Sequence, residues 1–120
     1  MADDAATILD IVLACRRIGQ FLADADEAAF HADEEKRWAT VSQLMIIGEA
    51  VRRLSENFRD QYATIPWRQV AGMRDRLIHQ YDKINWDLVW KTATADVPAL
   101  AAVLAPLTVA ADSSSDEQPS

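Results

Sequence analysis

The segment Trp38-Ala-Thr-Val-Ser-Gln-Leu-Met-Ile-Ile-Gly-Glu-Ala-Val-Arg-Arg-Leu54 decides the fold, because its apolar residues recur every three or four positions. This spacing places them on one stripe of an α-helix. The stripe continues to Phe58 and Asp33 is a suitable N-cap, so we predict one long helix from Asp33 to Phe58. Gly48 lies inside this helix; such a glycine costs about 1 kcal/mol against alanine and usually marks a close helix crossing.

Further helical segments lie on both sides of the long helix, and nothing in the chain reads as an alternating β-strand. Before it, apolar residues at helical spacing predict a helix over about residues 4–24, and a short helical piece covers 27–31. After it, Ile65-Pro-Trp67 opens a third helix with proline in its first turn, where the missing N–H does no harm. We predict that this third helix continues to Tyr81.

The last helix is predicted to begin after the N-cap Asn85, and Pro98 should kink it or start a new turn. Pro106 and the acidic, serine-rich end of the chain predict where order stops. The fold class is therefore all-α, a four- to five-helix up-down bundle. We expect a helical domain over residues 1–108 and a disordered tail over 109–120.

The composition indicates a soluble globular protein, since half of the 120 residues are hydrophobic and 26% are charged. The single cysteine, Cys15, falls within an apolar stripe and is interpreted as core filler. The N-terminus is acidic where a signal peptide needs basic residues, and no uninterrupted apolar run is long enough to span a bilayer. We expect a cytoplasmic protein with no membrane partner. No Asp, Glu and His cluster has the spacing of a magnesium or zinc site, so neither a metal nor a cofactor is expected.

The charge is unevenly distributed. The net charge of −7 argues against a non-specific nucleic-acid binder. Residues 51–91, however, carry eight basic and five acidic residues, which makes this segment a basic island in an acidic protein. By itself the island could be an ordinary solvated helix face.

Within the island, the third helix concentrates Arg74, Asp75, Arg76, His79 and Tyr81. On one straight helix Asp75 and His79 would lie one turn apart, whereas Arg74 and His79 would lie about 140° apart. One copy of the helix could not aim both at the same phosphate, but two antiparallel copies could. We therefore predict a homodimer built around this helix. The alternative is that Arg74 and His79 make ordinary caps or surface ion pairs.

The spacing Arg74-x4-His79-x-Tyr81 resembles the RX4HXY signature of the HepT family, within the HEPN superfamily of helical ribonucleases. Four further segments resemble that family as well, and the resemblance covers about residues 5–107. They are Ile46-Ile-Gly-Glu-Ala50, Ile65-Pro-Trp67, Gly72-Met-Arg-Asp-Arg-Leu-Ile-His-Gln-Tyr81 and the stretch from Trp90 to Pro98-x-Leu100.

The resemblance implies a HEPN-type bundle and a metal-independent endoribonuclease, the toxin of a type VII toxin–antitoxin pair that cleaves RNA. Carried over by position, Arg74 and His79 would be the catalytic pair and Asp75 a supporting residue. Tyr81 would accept AMP from an MntA-like nucleotidyltransferase antitoxin. The alternative for Tyr81 is that its ring packs against Trp67 or the last helix.

Two other functions remain open. The chain could be a non-catalytic HEPN binding module that docks a partner nucleotidyltransferase, which the net charge favours. More simply, it could be a structural helical dimer. Arg52, Arg53 and Arg59 could guide RNA or form surface ion pairs. His31 is interpreted as a solvated helix residue.

Overall fold

The structure, a computed structural model, describes the backbone of residues 3–79 and 83–116 and the side chains of residues 3–77 and 83–108. Eight α-helices, two short strands and one π-helical turn make up these residues. They are α1 Asp4–Leu22, α2 Glu27–Ala32, α3 Glu34–Arg52, α4 Glu56–Gln61, α5 Trp67–Ala71, α6 Met73–Leu77, β1 Ile78–His79, β2 Lys83–Ile84, α7 Trp86–Lys91, the π-helical turn Thr92–Asp96 and α8 Val97–Asp116. The prediction of an all-α fold is confirmed.

The core lies between α1, α3 and α8, with α1 packed against both of the other long helices. Side chains from all three are fully buried, among them Ile11, Leu44, Ile47 and Leu104. Removing such side chains from water is the main force that holds a bundle together. The starts of the helices are fixed locally, because side-chain oxygens at the N-caps accept hydrogen bonds from backbone N–H groups three residues later. These N-caps are Asp3, Asp26, Asp33, Ser55 and Asn85.

The prediction of one helix from Asp33 to Phe58 is wrong at its C-terminal end. Asp33 is the N-cap as predicted, but α3 ends at Arg52, and Ser55 begins α4 by accepting a hydrogen bond from the Phe58 N–H at 3.1 Å. A serine hydroxyl competes with the backbone for hydrogen bonds and so favours a new helix start over a helix interior. The bend keeps Phe58 buried although the helix is broken.

The prediction that the third helix reaches Tyr81 is also wrong. The helix is divided at Gly72 into α5 and α6, and α6 ends at Leu77. The chain then enters an antiparallel hairpin in which Ile78 pairs with Ile84. The Asn85 N–H donates to the carbonyl oxygen of Leu77 at 2.9 Å, which closes the hairpin at its base. A β-branched pair and a long-range hydrogen bond therefore replace the next helical turn.

The new turn predicted at Pro98 is confirmed, since Pro98 lies in the first turn of α8 and directly follows the π-helical turn. Proline lacks an N–H, so it fits a first turn better than a helix interior. The backbone of α8 is helical through Pro106 to Asp116. The boundary at residue 108 between a helical domain and a disordered tail stays a prediction.

Within the part of the chain that the structure describes, one segment, Trp86–Thr108, is long and apolar enough by length and composition to cross a membrane. A core helix of a soluble protein passes the same test. Here Val89, Val97, Leu100 and Leu104 of this segment are buried against the rest of the bundle. In its most apolar window 33% is buried, so these core contacts account for that part of its apolar composition.

Candidate active site

Helix α6 presents three charged residues on a short, well-anchored segment. Met73 and Leu77 are buried at its two ends, whereas Arg74, Asp75 and Arg76 between them are exposed. The burial of the two apolar side chains fixes the orientation of the helix. The charged side chains can therefore reach solvent or a ligand without disturbing the core.

Arg74 lies in a groove of about 360 Å³ between α3 and the α5–α6 junction, lined also by Met45, Gly48, Glu49 and Ala71. We call this feature the Arg74 groove. A guanidinium presents a fork of N–H donors that matches the oxygens of a phosphate. The groove therefore combines a guanidinium, which is a group suited to phosphate, with the carboxylate-bearing residue Glu49 of α3.

Gly48 lines the Arg74 groove at the place where α3 crosses α5. A Cβ at this position would lie 3.4 Å from the Val70 carbonyl oxygen and 3.7 Å from that of Ala71. The backbones of α3 and α5 thus approach closely, which confirms the helix crossing predicted from this glycine. The crossing brings Arg74 beside α3.

Arg52 of α3 forms a hydrogen bond to the C-terminal end of α5, next to the Arg74 groove. Its Nη2 donates a hydrogen bond to the Ala71 carbonyl oxygen at 2.9 Å. The hydrogen bond satisfies a carbonyl at the end of α5, immediately before the segment that carries Arg74. Arg52 thus links α3 to the end of α5, and neighbouring Arg53 pairs with Asp10 at 3.5 Å.

Arg76 lies in a different cavity, although it is two residues from Arg74. This cavity, of about 250 Å³, is formed between α5, α6 and the start of α8, and Asp96 lies in its lining with Arg76. Apolar side chains, including Ile65 and Leu100, make up much of the remaining lining. The two arginines of α6 therefore line two different cavities.

His79 belongs to β1, where its backbone pairs with Lys83 of β2. The prediction that Asp75 and His79 lie one turn apart on a helix is wrong, because the helix ends at Leu77. The 140° angle between Arg74 and His79 does not apply for the same reason. The structure describes the backbone of His79, and Tyr81 lies outside the described residues.

Two residues near the motif were not predicted as part of the site. Glu49 enters the Arg74 groove from α3, and Lys83 is the backbone partner of His79. Glu49 belongs to Ile46–Ala50, a segment that resembles the family, and this resemblance could have pointed to Glu49 as a site residue. Lys83 had no such signal, because strand pairing joins residues that no helical period relates.

Cys15 and Trp67 belong to the core. Burial raises the pKa of the Cys15 thiol to about 11, which keeps it protonated and unreactive at neutral pH. The predicted core position of Cys15 is thereby confirmed. The indole Nε1 of buried Trp67 donates to the carbonyl oxygens of Arg59 and Tyr62, at 3.1 and 3.0 Å. Trp67 is therefore not available to stack on a base.

Fold and site together define a small all-α bundle of the HEPN type, with its motif arginine exposed on a groove and its motif histidine on the following hairpin. The chain belongs to the HepT-like ribonuclease family, whose family model, "Ribonuclease HepT-like", matches residues 11–107. The predicted family resemblance is thereby confirmed.

Several curated proteins are similar to the chain. "Putative RNase MJ1380" of Methanocaldococcus jannaschii is 35% identical over 98 residues, which cover 82% of this chain and 90% of that protein. "Probable ribonuclease HepT" of Thermococcus cleftensis is 36% identical over 91 residues, 76% of this chain and 83% of that protein. A "Putative RNase" of Caldanaerobacter subterraneus is 45% identical over 62 residues, 52% of this chain and 55% of that protein. No solved structure matches the chain significantly.

Proposed function

We propose that this chain is a metal-independent endoribonuclease, the toxin of a type VII toxin–antitoxin pair. The observation that carries the proposal is Arg74, which stands exposed in a groove five residues before His79 in a chain of the HepT-like ribonuclease family. Membership of the family supplies the reaction class. The groove supplies a place where an RNA phosphate meets a guanidinium.

The proposed reaction uses the RNA's own 2′-hydroxyl as the nucleophile. Its oxygen attacks the adjacent phosphorus, the bond from phosphorus to the 5′-oxygen breaks, and the products are a 2′,3′-cyclic phosphate and a 5′-hydroxyl. His79 takes the proton of the 2′-hydroxyl or gives one to the leaving oxygen, which contributes about 10²–10⁴-fold. Arg74 stabilises the charge that develops on the non-bridging oxygens. Asp75 is proposed to support this pair.

The first experiment induces the chain alone and follows growth and RNA integrity. Arg74→Ala and His79→Ala are expected to restore growth, and the purified variants to lose about 10²-fold or more in cleavage rate. Arg76→Ala is the matched control, because Arg76 is exposed on the same helix but lies in the other cavity. Cleavage by the wild-type chain should survive EDTA.

Two results would contradict this proposal. Cleavage that stops with EDTA and returns with magnesium would show metal-dependent chemistry. Equal losses in Arg74→Ala and Arg76→Ala would show that general positive charge matters and that the groove does not.

Control by the partner is proposed to act through Tyr81. An MntA-like nucleotidyltransferase would transfer AMP to the phenol, adding negative charge and bulk beside a site for an RNA phosphate. Tyr81→Phe keeps the ring and removes the nucleophile, so this variant should cleave RNA and escape neutralisation. Tyr62→Phe is the control, since Tyr62 packs on Phe58 with ring centroids 4.7 Å apart. AMP found by mass spectrometry only at other residues would refute this part.

A binding module that docks a nucleotidyltransferase without cleaving RNA is the second candidate. The net charge of −7 and the presence of Glu49 in the Arg74 groove favour it, since both oppose binding of a polyanion. This candidate predicts that the purified chain binds the partner tightly and leaves RNA intact. The cleavage assay above therefore separates the two functions.

A further inference from the structure

We propose that Glu27, His31 and Asp87 form a binding site for a divalent transition-metal ion of the zinc class. Their donor atoms all lie within 4.8 Å of one another, although Asp87 is more than fifty residues away along the chain. Glu27 and His31 are one turn apart on α2, and Asp87 is in the first turn of α7. The spacing along the sequence does not reveal this cluster, because Asp87 comes from a different helix.

The distances between the donor atoms fit a metal centre. His31 Nε2 is 3.1 Å from Asp87 Oδ1 and 3.6 Å from Glu27 Oε2. Two ligands of a tetrahedral zinc ion, each bound at 2.0–2.2 Å, lie about 3.3–3.6 Å apart. The two distances to His31 Nε2 are therefore within a few tenths of an ångström of those in a zinc site, and the two carboxylates lie no more than 4.8 Å apart.

The environment of His31 Nε2 agrees with this geometry. The His31 side chain is 32% exposed, but its Nε2 atom is buried and has no aligned hydrogen-bond partner among the described residues, although Asp87 Oδ1 lies 3.1 Å away. A ring N–H at this atom would not be aligned with either carboxylate. A metal ion at the junction would instead accept the nitrogen lone pair and both carboxylates, and would satisfy a buried polar atom.

The chemistry of the three donors selects the ion. Two carboxylates and one imidazole offer two negative charges, and an imidazole suits zinc, nickel and copper better than magnesium or calcium. The side chains of Glu27 and Asp87 are 58% and 85% exposed, so water can complete the coordination. His31, which we predicted as a solvated helix residue and which is 32% exposed on α2, is thus also a ligand candidate.

Arg37 is a basic side chain that contacts this region. Its Nη1 donates to the His31 carbonyl oxygen at 3.0 Å, and its guanidinium lies 4.9 Å from the centre of the Trp86 ring. Among the side chains described, Arg37 forms no ion pair with Glu27 or Asp87. Its charge weakens the site without occupying it.

The position of the site gives it a structural role. The ion would clamp α2 to the beginning of α7, and α7 starts two residues after β2, the partner strand of His79. Binding that occurs only in the folded state stabilises that state. We infer that zinc steadies the base of the hairpin and takes no part in cleavage, so the inference does not depend on the proposed function.

The test uses the full chain without an affinity tag, and zinc chloride as the probe. Calorimetry should show one zinc ion per chain, and zinc should raise the melting temperature while magnesium leaves it unchanged. Asp87→Asn and His31→Gln are each expected to weaken binding at least tenfold. Glu34→Gln is the matched control, because it removes the same charge from a first-turn carboxylate outside the cluster.

The chain has two histidines, so NMR can assign the ligand directly. Zinc should shift the imidazole signals of His31 and leave those of His79 unchanged, with His79→Ala identifying each set. Shifts at His79 alone, or undiminished binding by a folded Asp87→Asn chain, would overturn the proposal. So would the absence of binding by the wild-type chain.

Discussion

Asp4 shows how one side chain fixes the start of a helix that it does not belong to. Its carboxylate accepts hydrogen bonds from the Ser55 backbone N–H at 2.9 Å and from the Ser55 hydroxyl at 2.6 Å. These bonds hold Ser55 in the N-cap position of α4 and join the start of α1 to the α3–α4 bend. Because both bonds favour the charged form, the hydroxyl bond more strongly, they lower the pKa of Asp4.

Removing the Asp4 charge should therefore produce a pH-dependent loss of stability. A carboxyl group with a lowered pKa stabilises the folded state above its ordinary pKa, and this contribution is lost as the pH falls through the lowered value. Asp4→Asn should thus be less stable than wild type at pH 7. The difference should shrink as the pH falls below 3.8, the ordinary value for this group.

Denaturant unfolding at a series of pH values measures this difference. Asp10→Asn is a suitable control, since Asp10 makes an exposed ion pair with Arg53 and accepts no backbone hydrogen bond among the described residues. A constant gap between wild type and Asp4→Asn from pH 7 to pH 3 would contradict the assignment.

Two helical glycines, Gly19 and Gly48, differ in the space around them, so that replacing them should have opposite effects on stability. Gly19 of α1 is exposed, and a Cβ there would meet nothing within 4 Å. Gly48 of α3 is buried, and its Cβ would already touch the backbone of α5. Helix propensity should therefore determine how a substitution at Gly19 changes stability, whereas the packing of α3 on α5 should determine it at Gly48.

Gly19→Ala should raise the free energy of unfolding by about 0.5–1 kcal/mol, because alanine has the higher helix propensity. Gly48→Val should lower it by about 1–3 kcal/mol, since extra methyl groups force α5 away from α3. Thermal and urea unfolding measure both changes. Cleavage should fall in Gly48→Val and not in Gly19→Ala; a stable, fully active Gly48→Val chain would show that the crossing does not position Arg74.

The end of α6 separates the two proposed catalytic residues into different elements. Arg74 is carried by a helix whose ends are buried, whereas the backbone of His79 is held by β1 through its pairing with β2. Their relative placement therefore depends on the hairpin and not on a helical period. Lys83, as the backbone partner of His79, is the residue of the hairpin most directly connected to the site.

At the scale of the whole molecule, the exposed apolar surface of α3 supports the proposed homodimer. Trp38 and Ile46 are 51% and 40% exposed and lie two turns apart on this helix. Ile46 directly follows Met45, which lines the Arg74 groove. Exposed apolar side chains next to a functional groove are a common mark of an interface. The dimer no longer has the support of the helix angle and remains a proposal.

Ile46→Glu should shift the chain from dimer to monomer in sedimentation at micromolar concentration, because it places a charge in the proposed interface. Leu9→Glu is the control, since Leu9 is exposed to a similar extent, 38%, on α1. If the site needs two copies, the monomeric variant should also lose cleavage. A wild-type chain that is strictly monomeric and still cuts RNA would refute the composite site.

The helical class, the family and several helix starts, among them those after Asp33 and Asn85, could be predicted from the sequence alone. Caps such as Asp33 and Asn85 act on N–H groups three residues away, and a stripe such as that of α3 repeats over a few turns, so both can be seen in short stretches of sequence. The signature from Arg74 to Tyr81 is equally local, and the family match over residues 11–107 agrees with it.

The ends of α3 and α6, and the contacts between distant residues, depend on tertiary packing. Asp4 reaches Ser55 across 51 positions, and Asn85 closes the hairpin on Leu77 from beyond β2. Glu27 and His31 likewise meet an aspartate from another helix. Such contacts have no period in the sequence, because folding brings their partners together through the packing of whole helices, and a hydrogen bond gained there outweighs the weak preference to continue a helix.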